Sequence, residues 1–163
     1  MNISIYEADE TNAPRAYELM RMAFERQRRF IEPEPGVFRN DSIGSMSAAV
    51  ARKEKRLVVA LHRKRLLGCI LCSPNEENDE DYHFGRLAVN PRYQGNGIGN
   101  MLLDDVESWA KSKGYKRVTC NVRKALGQNV AMFESRGYVI YGEGTHEGFD
   151  EPTFVKMGKV INE

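Results

Sequence analysis

Residues 92–100 have the sequence Arg92-Tyr93-Gln94-Gly95-Asn96-Gly97-Ile98-Gly99-Asn100. They join a predicted strand, His83 to Val89, to a predicted helix that begins at Ile98. Glycines at such a junction let the backbone approach a ligand closely. The first turn of the helix adds N–H groups without an intrahelical partner and about half a positive charge. The segment therefore predicts a binding site for a phosphate or pyrophosphate group, with a turn that binds nothing as the alternative.

Two common nucleotide-binding motifs fit this loop poorly. Gly95 and Gly97 meet the first two positions of the dinucleotide fingerprint G-x-G-x-x-G/A, but the third position falls on Asn100. The acidic residue expected about 20 residues further on is also absent, since Asn121 and Arg123 lie there. A P-loop needs a glycine followed by lysine and then serine or threonine, and this loop has no lysine. A dinucleotide-dependent oxidoreductase is therefore the weaker interpretation.

The remaining sequence predicts a single domain, residues 1–163, with mixed secondary structure. Apolar periodicity, proline and glycine predict the element order β-α-α-β-β-β-α-β-α-β-β. A hairpin turn is predicted at Arg63-Lys64-Arg65 and an acidic surface loop at residues 73–81. The strand His83 to Val89, the next helix and the strand Val118 to Val122 form a βαβ unit, which predicts a parallel crossover.

Composition excludes several classes of protein. The chain carries 24 basic and 23 acidic residues, and a net charge of +1 argues against a polybasic binder of nucleic acid or anionic membrane. The sequence has no apolar run of about 18 residues, as a membrane-spanning helix needs, and no secretory signal is predicted. The three cysteines fit a reduced cytoplasm. Cys69 and Cys72 are expected in the core rather than in a metal site, and no metal is predicted.

The small net charge hides an uneven distribution. Residues 86–136 carry 9 basic and 4 acidic side chains, a net of +5. Residues 1–85 carry 13 and 14, a net of −1, and residues 137–163 carry 2 and 5, a net of −3. The basic middle predicts a bound anion there, with a solvated basic surface as the alternative.

The loop resembles the acyl-CoA loop of the GNAT acetyltransferase superfamily. The family pattern Q/R-x-x-G-x-G/A is met by Gln94, Gly97 and Gly99, and residues 87–91 resemble the strand end that precedes it. Residues 129–138, with the pattern N-x-x-x-F-E-x-x-G-Y, resemble a downstream helix motif of the family. The likeness covers essentially the whole chain and is least specific in the first third.

The resemblance implies a mixed α/β fold and acetyl-CoA as co-substrate. The central, mostly antiparallel sheet would contain a splayed parallel pair that binds acyl-CoA, with helices on its faces. Residues 146–153, H-x-G-F-D-E-P-T with one variable position, resemble the tail of one bacterial branch. The cofactor-binding residues that the resemblance implies are Leu87, Ala88, Val89, Gln94, Gly95, Asn96, Gly97, Ile98, Gly99, Asn100, Asn129, Phe133 and Arg136.

The implied reaction is attack of an amine on the acetyl thioester in one ternary complex. A free alkylamine has a pKa near 10.4, so its neutral form at pH 7 costs about 4.6 kcal/mol and a base would help. His83 is the predicted base, since it matches a strand position where some family members have a catalytic carboxylate; His146 is second. Many members have a tyrosine acid where this chain has Phe133, so either Tyr138, Tyr141 or water would supply the proton, or no acid would be needed. A half-buried structural histidine is the alternative for His83.

The predicted function is N-acetyl transfer to a small-molecule or peptide amine, with a non-catalytic acyl-CoA sensor as the alternative. The family's substrate pockets are implied at residues 30–45 and 143–152. Their acidic residues favour a cationic amine, and no nucleic acid or membrane partner is expected. A homodimer is the habit of the family. These acidic residues are Glu32, Glu34, Asp41, Glu143, Glu147, Asp150 and Glu151.

Overall fold

The computed structural model describes residues 1–39 and 42–163. The strands are β1 (Ser4–Ala8), β2 (Arg56–His62), β3 (Arg65–Pro74), β4 (Asp81–Val89), β5 (Arg117–Arg123), β6 (Val139–Gly144) and β7 (Phe154–Val160). The helices are α1 (Ala13–Phe30), α2 (Gly36–Arg39), α3 (Ile43–Ala51), α4 (Ile98–Ser112) and α5 (Gly127–Ser135). Within the described ranges, no helix has both the length and the apolarity to cross a bilayer.

The strands form a seven-stranded sheet in the order β1-β2-β3-β4-β5-β7-β6. β4 and β5 are parallel, whereas β1–β2, β2–β3, β5–β7 and β6–β7 are antiparallel. The predicted fold class, a mixed α/β protein with a mostly antiparallel sheet, one parallel pair and flanking helices, is confirmed. The predicted βαβ crossover is confirmed as well, because α4 connects the two parallel strands.

Residues 1–73 and 84–108 form one compact unit of the chain. Its core cluster contains the apolar face of α1, where Ala16 and Met20 are fully buried, together with side chains of α2, α3 and the β2–β3 hairpin. The Tyr17 hydroxyl donates a hydrogen bond of 2.9 Å to the carbonyl of Val37, which ties α1 to α2. Removal of these apolar faces from water is the main force that holds the unit together.

Residues 74–83 and 109–163 form the second compact unit. Tyr82 packs against Trp109 and Tyr115, with ring centroids 4.7 and 4.9 Å away. The neighbouring Asp81 is 2% exposed and accepts hydrogen bonds of 2.6 and 3.1 Å from the guanidinium of Arg117. These bonds raise the pKa of Arg117 above its ordinary value.

The predicted bounds of the acidic loop and of the hairpin turn are wrong. Asp81, assigned to the acidic loop, begins β4, because Arg117 neutralises its charge and permits burial. Arg65, assigned to the hairpin turn, begins β3 opposite His62. The turn has only two residues, Arg63 and Lys64, with φ of +49° and +67°. Such left-handed pairs suit the twist of a hairpin, but they are usually made by asparagine and glycine.

Cys69 and Cys72 are buried, as predicted, Cys120 is buried as well, and none of the three forms a disulfide. Burial raises the pKa of Cys69 and of Cys120 to about 12, and it also raises the pKa of Cys72. All three are therefore neutral thiols at physiological pH and pack as small apolar residues. In the part of the chain that the structure describes, no group of three or more potential metal ligands is found.

Gly68 of β3 provides a test of packing in the first unit. A Cβ atom there would lie 2.8 Å from Cγ2 of Ile98 and 3.1 Å from the carbonyl oxygen of Ala88. We expect Gly68→Ala to lower the free energy of unfolding by about 1–3 kcal/mol in urea titrations, because the core cannot take the extra volume without shifting. Gly85→Ala is the control, since a Cβ at Gly85 would have no described atom within 4 Å. Equal losses in both variants would contradict this account.

Candidate active site

The predicted phosphate loop joins β4 to α4 in the first unit. It begins with a 3₁₀ turn at Pro91–Tyr93. Asn90 holds this turn, since its side chain accepts the N–H of Arg92 at 3.0 Å and its carbonyl accepts the N–H of Tyr93 at 2.8 Å. The N–H of Asn90 donates to the carbonyl of Leu67 at 2.8 Å, which fixes the start of the loop to β3.

The loop needs glycine at two positions. Gly95 and Gly97 have φ of +86° and +76°, in the region that residues with a side chain rarely adopt. A Cβ at either position would meet no described atom within 4 Å. The backbone conformation, rather than crowding, therefore requires these glycines, and the space beside the loop is open to a ligand.

The start of α4 supplies the donors. The carbonyl of Gly97 accepts the N–H of Met101 at 3.0 Å, so the N–H groups of residues 98–100 precede the first intrahelical hydrogen bond. Ile98 is buried and anchors the helix, whereas Gln94 and Asn96 are exposed. First-turn amides and the positive end of a helix suit a phosphate or pyrophosphate group, so the residues present fit the predicted ligand.

The strand before the loop has an irregularity that the sequence did not indicate. Arg86 has a φ of +54° inside β4, although arginine has no preference for that conformation. The irregularity lies immediately before Leu87, Ala88 and Val89, the residues predicted to bind the cofactor through their backbone. Ala88 is 2% exposed and belongs to the core cluster, whereas Leu87 and Val89 are partly buried.

His83 lies in the second unit, opposite Thr119 in the parallel register. Its Nδ1 atom is 2.9 Å from Oγ1 of Thr119, which is fully buried. Asn75 donates from Nδ2 to the same Thr119 oxygen at 2.9 Å. The predicted base is therefore held by two polar residues that sequence analysis missed, because neither belongs to a motif.

The other predicted catalytic residues also lie in the second unit. Nδ1 of His146 is 2.5 Å from Oγ1 of Thr153, and that oxygen accepts the backbone N–H of His146 at 2.9 Å. Tyr138 is 2% exposed and packs edge-on against Phe133, with centroids 5.8 Å apart. Burial raises the pKa of Tyr141 above its ordinary value, which makes its phenol a weaker acid.

The predicted cofactor residues of α5 and the residue after it are differently exposed. Phe133 is buried, whereas Asn129 and Arg136 are partly buried. The N–H of Asn129 donates to the carbonyl of Leu126 at 2.9 Å. Their contact with acetyl-CoA stays a prediction.

Some of the acidic residues predicted to attract a cationic substrate have basic partners. Glu34 forms an ion pair of 3.0 Å with Arg28, and Glu143 forms one of 3.3 Å with Lys124. Glu32, Glu147, Asp150 and Glu151 are exposed, and Asp41 lies outside the described residues. A cationic acceptor stays a prediction.

Comparison with known families gives an independent result. The sequence model of the acetyltransferase (GNAT) family matches residues 13–138. A curated relative, the probable N-acetyltransferase 14 of Xenopus tropicalis, is 23% identical over 90 residues, which are 55% of this chain and 43% of that protein. The chain thus matches less than half the length of this relative.

Two solved structures share the fold over almost their whole length. The PaiA N-acetyltransferase of Thermoplasma acidophilum, in complex with coenzyme A, has a TM-score of 0.82 and 18% identity, with 98% of this chain and 99% of that chain covered. The putative acetyltransferase yncA of Salmonella typhimurium, with its cofactor acetyl-CoA, has a TM-score of 0.78 and 16% identity, with 100% and 96% covered. At such identities the likeness shows the fold.

The left-handed glycines provide a test of the loop. We expect Gly97→Ala to lose about 1–2 kcal/mol of folding free energy, because a side chain strains a positive φ. We also expect a loss of affinity for coenzyme A of about tenfold or more, measured by calorimetry, since the loop can no longer aim its amides.

Gly114, with φ of +85° and no described atom near its Cβ position, is the matched control. Gly114→Ala should show a similar loss of stability and an unchanged affinity. Equal affinity in both variants would remove the loop from the binding site.

Proposed function

Because the chain belongs to the GNAT family of acetyltransferases, we propose that it transfers an acetyl group from acetyl-CoA to the amine of a small molecule or peptide. The observation that carries the proposal is the loop before α4, where Gly95 and Gly97 adopt left-handed conformations beside the first turn of a helix. The coenzyme A and acetyl-CoA of the two solved relatives support this choice of donor.

The proposed cofactor contacts follow from the chemistry of the residues. Backbone groups of Leu87, Ala88 and Val89 would hydrogen-bond the amides of the pantetheine arm. The amides of residues 95–100 would hold the pyrophosphate, next to Gln94 of the family pattern. On and after α5, Asn129, Phe133 and Arg136 are carried over from the family motif, with the Arg136 guanidinium suited to a phosphate.

The proposed reaction has one bond formed and one broken at the acetyl carbonyl. The amine nitrogen attacks the thioester carbon, the C–N bond forms, and collapse of the tetrahedral intermediate breaks the C–S bond. The nitrogen loses its proton to a base or to water, and the thiolate leaves with the electron pair of the C–S bond. His83 is the first candidate for contact with the reacting groups, and His146 and Tyr138 are further candidates.

A sensor that binds acyl-CoA without turnover is the second candidate function. The observation that favours it is Phe133, which stands where many family members have an acidic tyrosine and is buried against Tyr138. Phenylalanine has no proton to give, so this position cannot assist the leaving group. The sensor and the enzyme share the loop, and turnover separates them.

Thiol release from acetyl-CoA, measured across a library of cationic and neutral amines, tests the proposal. We expect amine-dependent release, greater with cationic amines, and a fall in kcat of about 100-fold in His83→Ala. His62→Ala is the control, because His62 bonds the backbone carbonyl of Asn2 at the end of the β2–β3 hairpin. Binding of acetyl-CoA without release for any amine would favour the sensor, and absence of binding would exclude both functions.

A further inference from the structure

A chain of hydrogen bonds through Thr119 and Asn75 determines which ring nitrogen of His83 carries the proton. We propose that these two residues hold neutral His83 with its proton on Nε2. In the proposed acetyl transfer, His83 then donates a hydrogen bond to the carbonyl oxygen under attack and does not act as the base. This role rests on the proposed function, whereas the position of the proton is a property of the protein alone.

The side-chain amide of Asn75 has a fixed orientation. The backbone N–H of Glu77 donates to Oδ1 of Asn75 at 2.8 Å. A backbone N–H can only donate, so the atom that it meets must be the amide oxygen. The N–H of Asn75 itself donates to the carbonyl of Asp81 at 2.9 Å, which fixes the residue at the start of β4. Nδ2 is therefore the atom that faces Thr119, and it donates.

The hydrogen-bond partners of Thr119 determine the direction in which its hydroxyl proton points. Oγ1 of Thr119 accepts from Asn75 and is 2.9 Å from Nδ1 of His83. Among the described residues, these two are the side-chain hydrogen-bond partners of Thr119. Thr119 is fully buried, and a buried hydroxyl proton without an acceptor is costly. The hydroxyl therefore donates to Nδ1, which must carry a lone pair.

The tautomer of His83 follows from this donation. A neutral imidazole with a lone pair on Nδ1 carries its proton on Nε2. Such a ring can donate from Nε2 but cannot accept a proton there. Abstraction of the amine proton at Nε2 would first require the ring to exchange its tautomer, which would turn the Thr119 hydroxyl away from Nδ1.

Hydrogen-bond donation is a chemically useful role for this tautomer. The carbonyl oxygen of a thioester becomes an oxyanion when the amine attacks, and fixed donors stabilise that charge. A neutral imidazole is a known electrophile of this kind in other enzymes. His83 would strengthen one hydrogen bond in the transition state and transfer no proton, so it would return unchanged after each turnover. The amine would give up its proton to water.

His62 supplies an internal reference for the opposite tautomer. Its Nδ1 is 2.7 Å from the backbone carbonyl oxygen of Asn2, which can only accept. The Nδ1 atom of His62 must therefore carry the proton. The chain contains three histidines, so imidazole signals are assigned by replacing each one in turn.

The experiment is imidazole ¹⁵N NMR on the ¹⁵N-labelled protein without coenzyme A, near pH 8, where histidines are neutral. We expect the Nε2–H pattern for His83, and its retention in Thr119→Ser, which keeps the hydroxyl. Thr119→Val removes the donor, so both tautomers should appear. An Nδ1–H pattern for His83 in the unmodified protein would overturn the proposal.

Asn75→Asp reverses the chain of hydrogen bonds without changing its shape. One carboxylate oxygen still accepts from Glu77, and the other accepts the hydroxyl proton of Thr119, whose oxygen then accepts from Nδ1–H of His83. We expect the Nδ1–H pattern in this variant. Asn75 is only partly buried, so the substitution tests the proposal even where Thr119→Val fails to fold.

Turnover distinguishes the donor from the base. Loss of one donor to an oxyanion lowers kcat by about 100-fold or more, which we expect for Asn75→Asp, with Thr119→Ser close to the unmodified protein. If His83 were the base, Asn75→Asp would keep or raise kcat, because it exposes a lone pair on Nε2, and that result would overturn the donor role. Absence of turnover in the unmodified protein would refute the proposed function and the donor role, while an Nε2–H pattern would still support the tautomer.

Discussion

The ion pair between Asp81 and Arg117 is the interaction on which the second unit depends. Asp81 is almost completely buried, so its charge has to be neutralised within the protein, and Arg117 lies directly opposite it in the parallel pairing of β4 and β5. Loss of Arg117 would leave the buried Asp81 carboxylate without a compensating charge, at a cost of about 3–5 kcal/mol. The pair therefore fixes the register of the two strands, and two residues further on this register sets His83 beside Thr119.

β4 carries two kinds of chemistry along one strand. Its first residues include His83, whose hydrogen-bond partner Thr119 lies on β5, and its last residues lead into the glycine loop before α4. The loop is encoded locally, because Gly95 and Gly97 specify their own backbone conformation and the helix supplies its own dipole. The sequence therefore predicted the fold class correctly and placed the glycine loop between a strand and a helix. The predicted element order is wrong by one helix, because the four-residue α2 (Gly36–Arg39) was not predicted.

The sequence did not predict two kinds of feature: contacts between residues far apart in the chain, and a turn that lacks its usual residues. Asp81 was assigned to a loop because its acidic neighbours are polar, and only Arg117, 36 residues later, makes its burial possible. The contact between Asn75 and Thr119 joins residues 44 apart, and neither type of residue signals it. Arg63 and Lys64 adopt left-handed conformations without the asparagine or glycine that would have indicated a two-residue turn.

Phe133 and the hydrogen bonds of His83 lead to the same view of the proposed acetyl transfer. A thiol has a pKa near 8.5, so a thiolate is a weak base near neutral pH and leaves without a strong acid. A phenylalanine in the place of an acidic tyrosine is therefore compatible with acyl transfer. The charge that most needs stabilisation is the oxyanion at the attacked carbonyl, and a fixed N–H group meets that need where a mobile proton would not. A histidine held as a donor, as we propose, and a phenylalanine in the place of the acidic tyrosine both fit an acyl transfer that depends more on the oxyanion than on the leaving group.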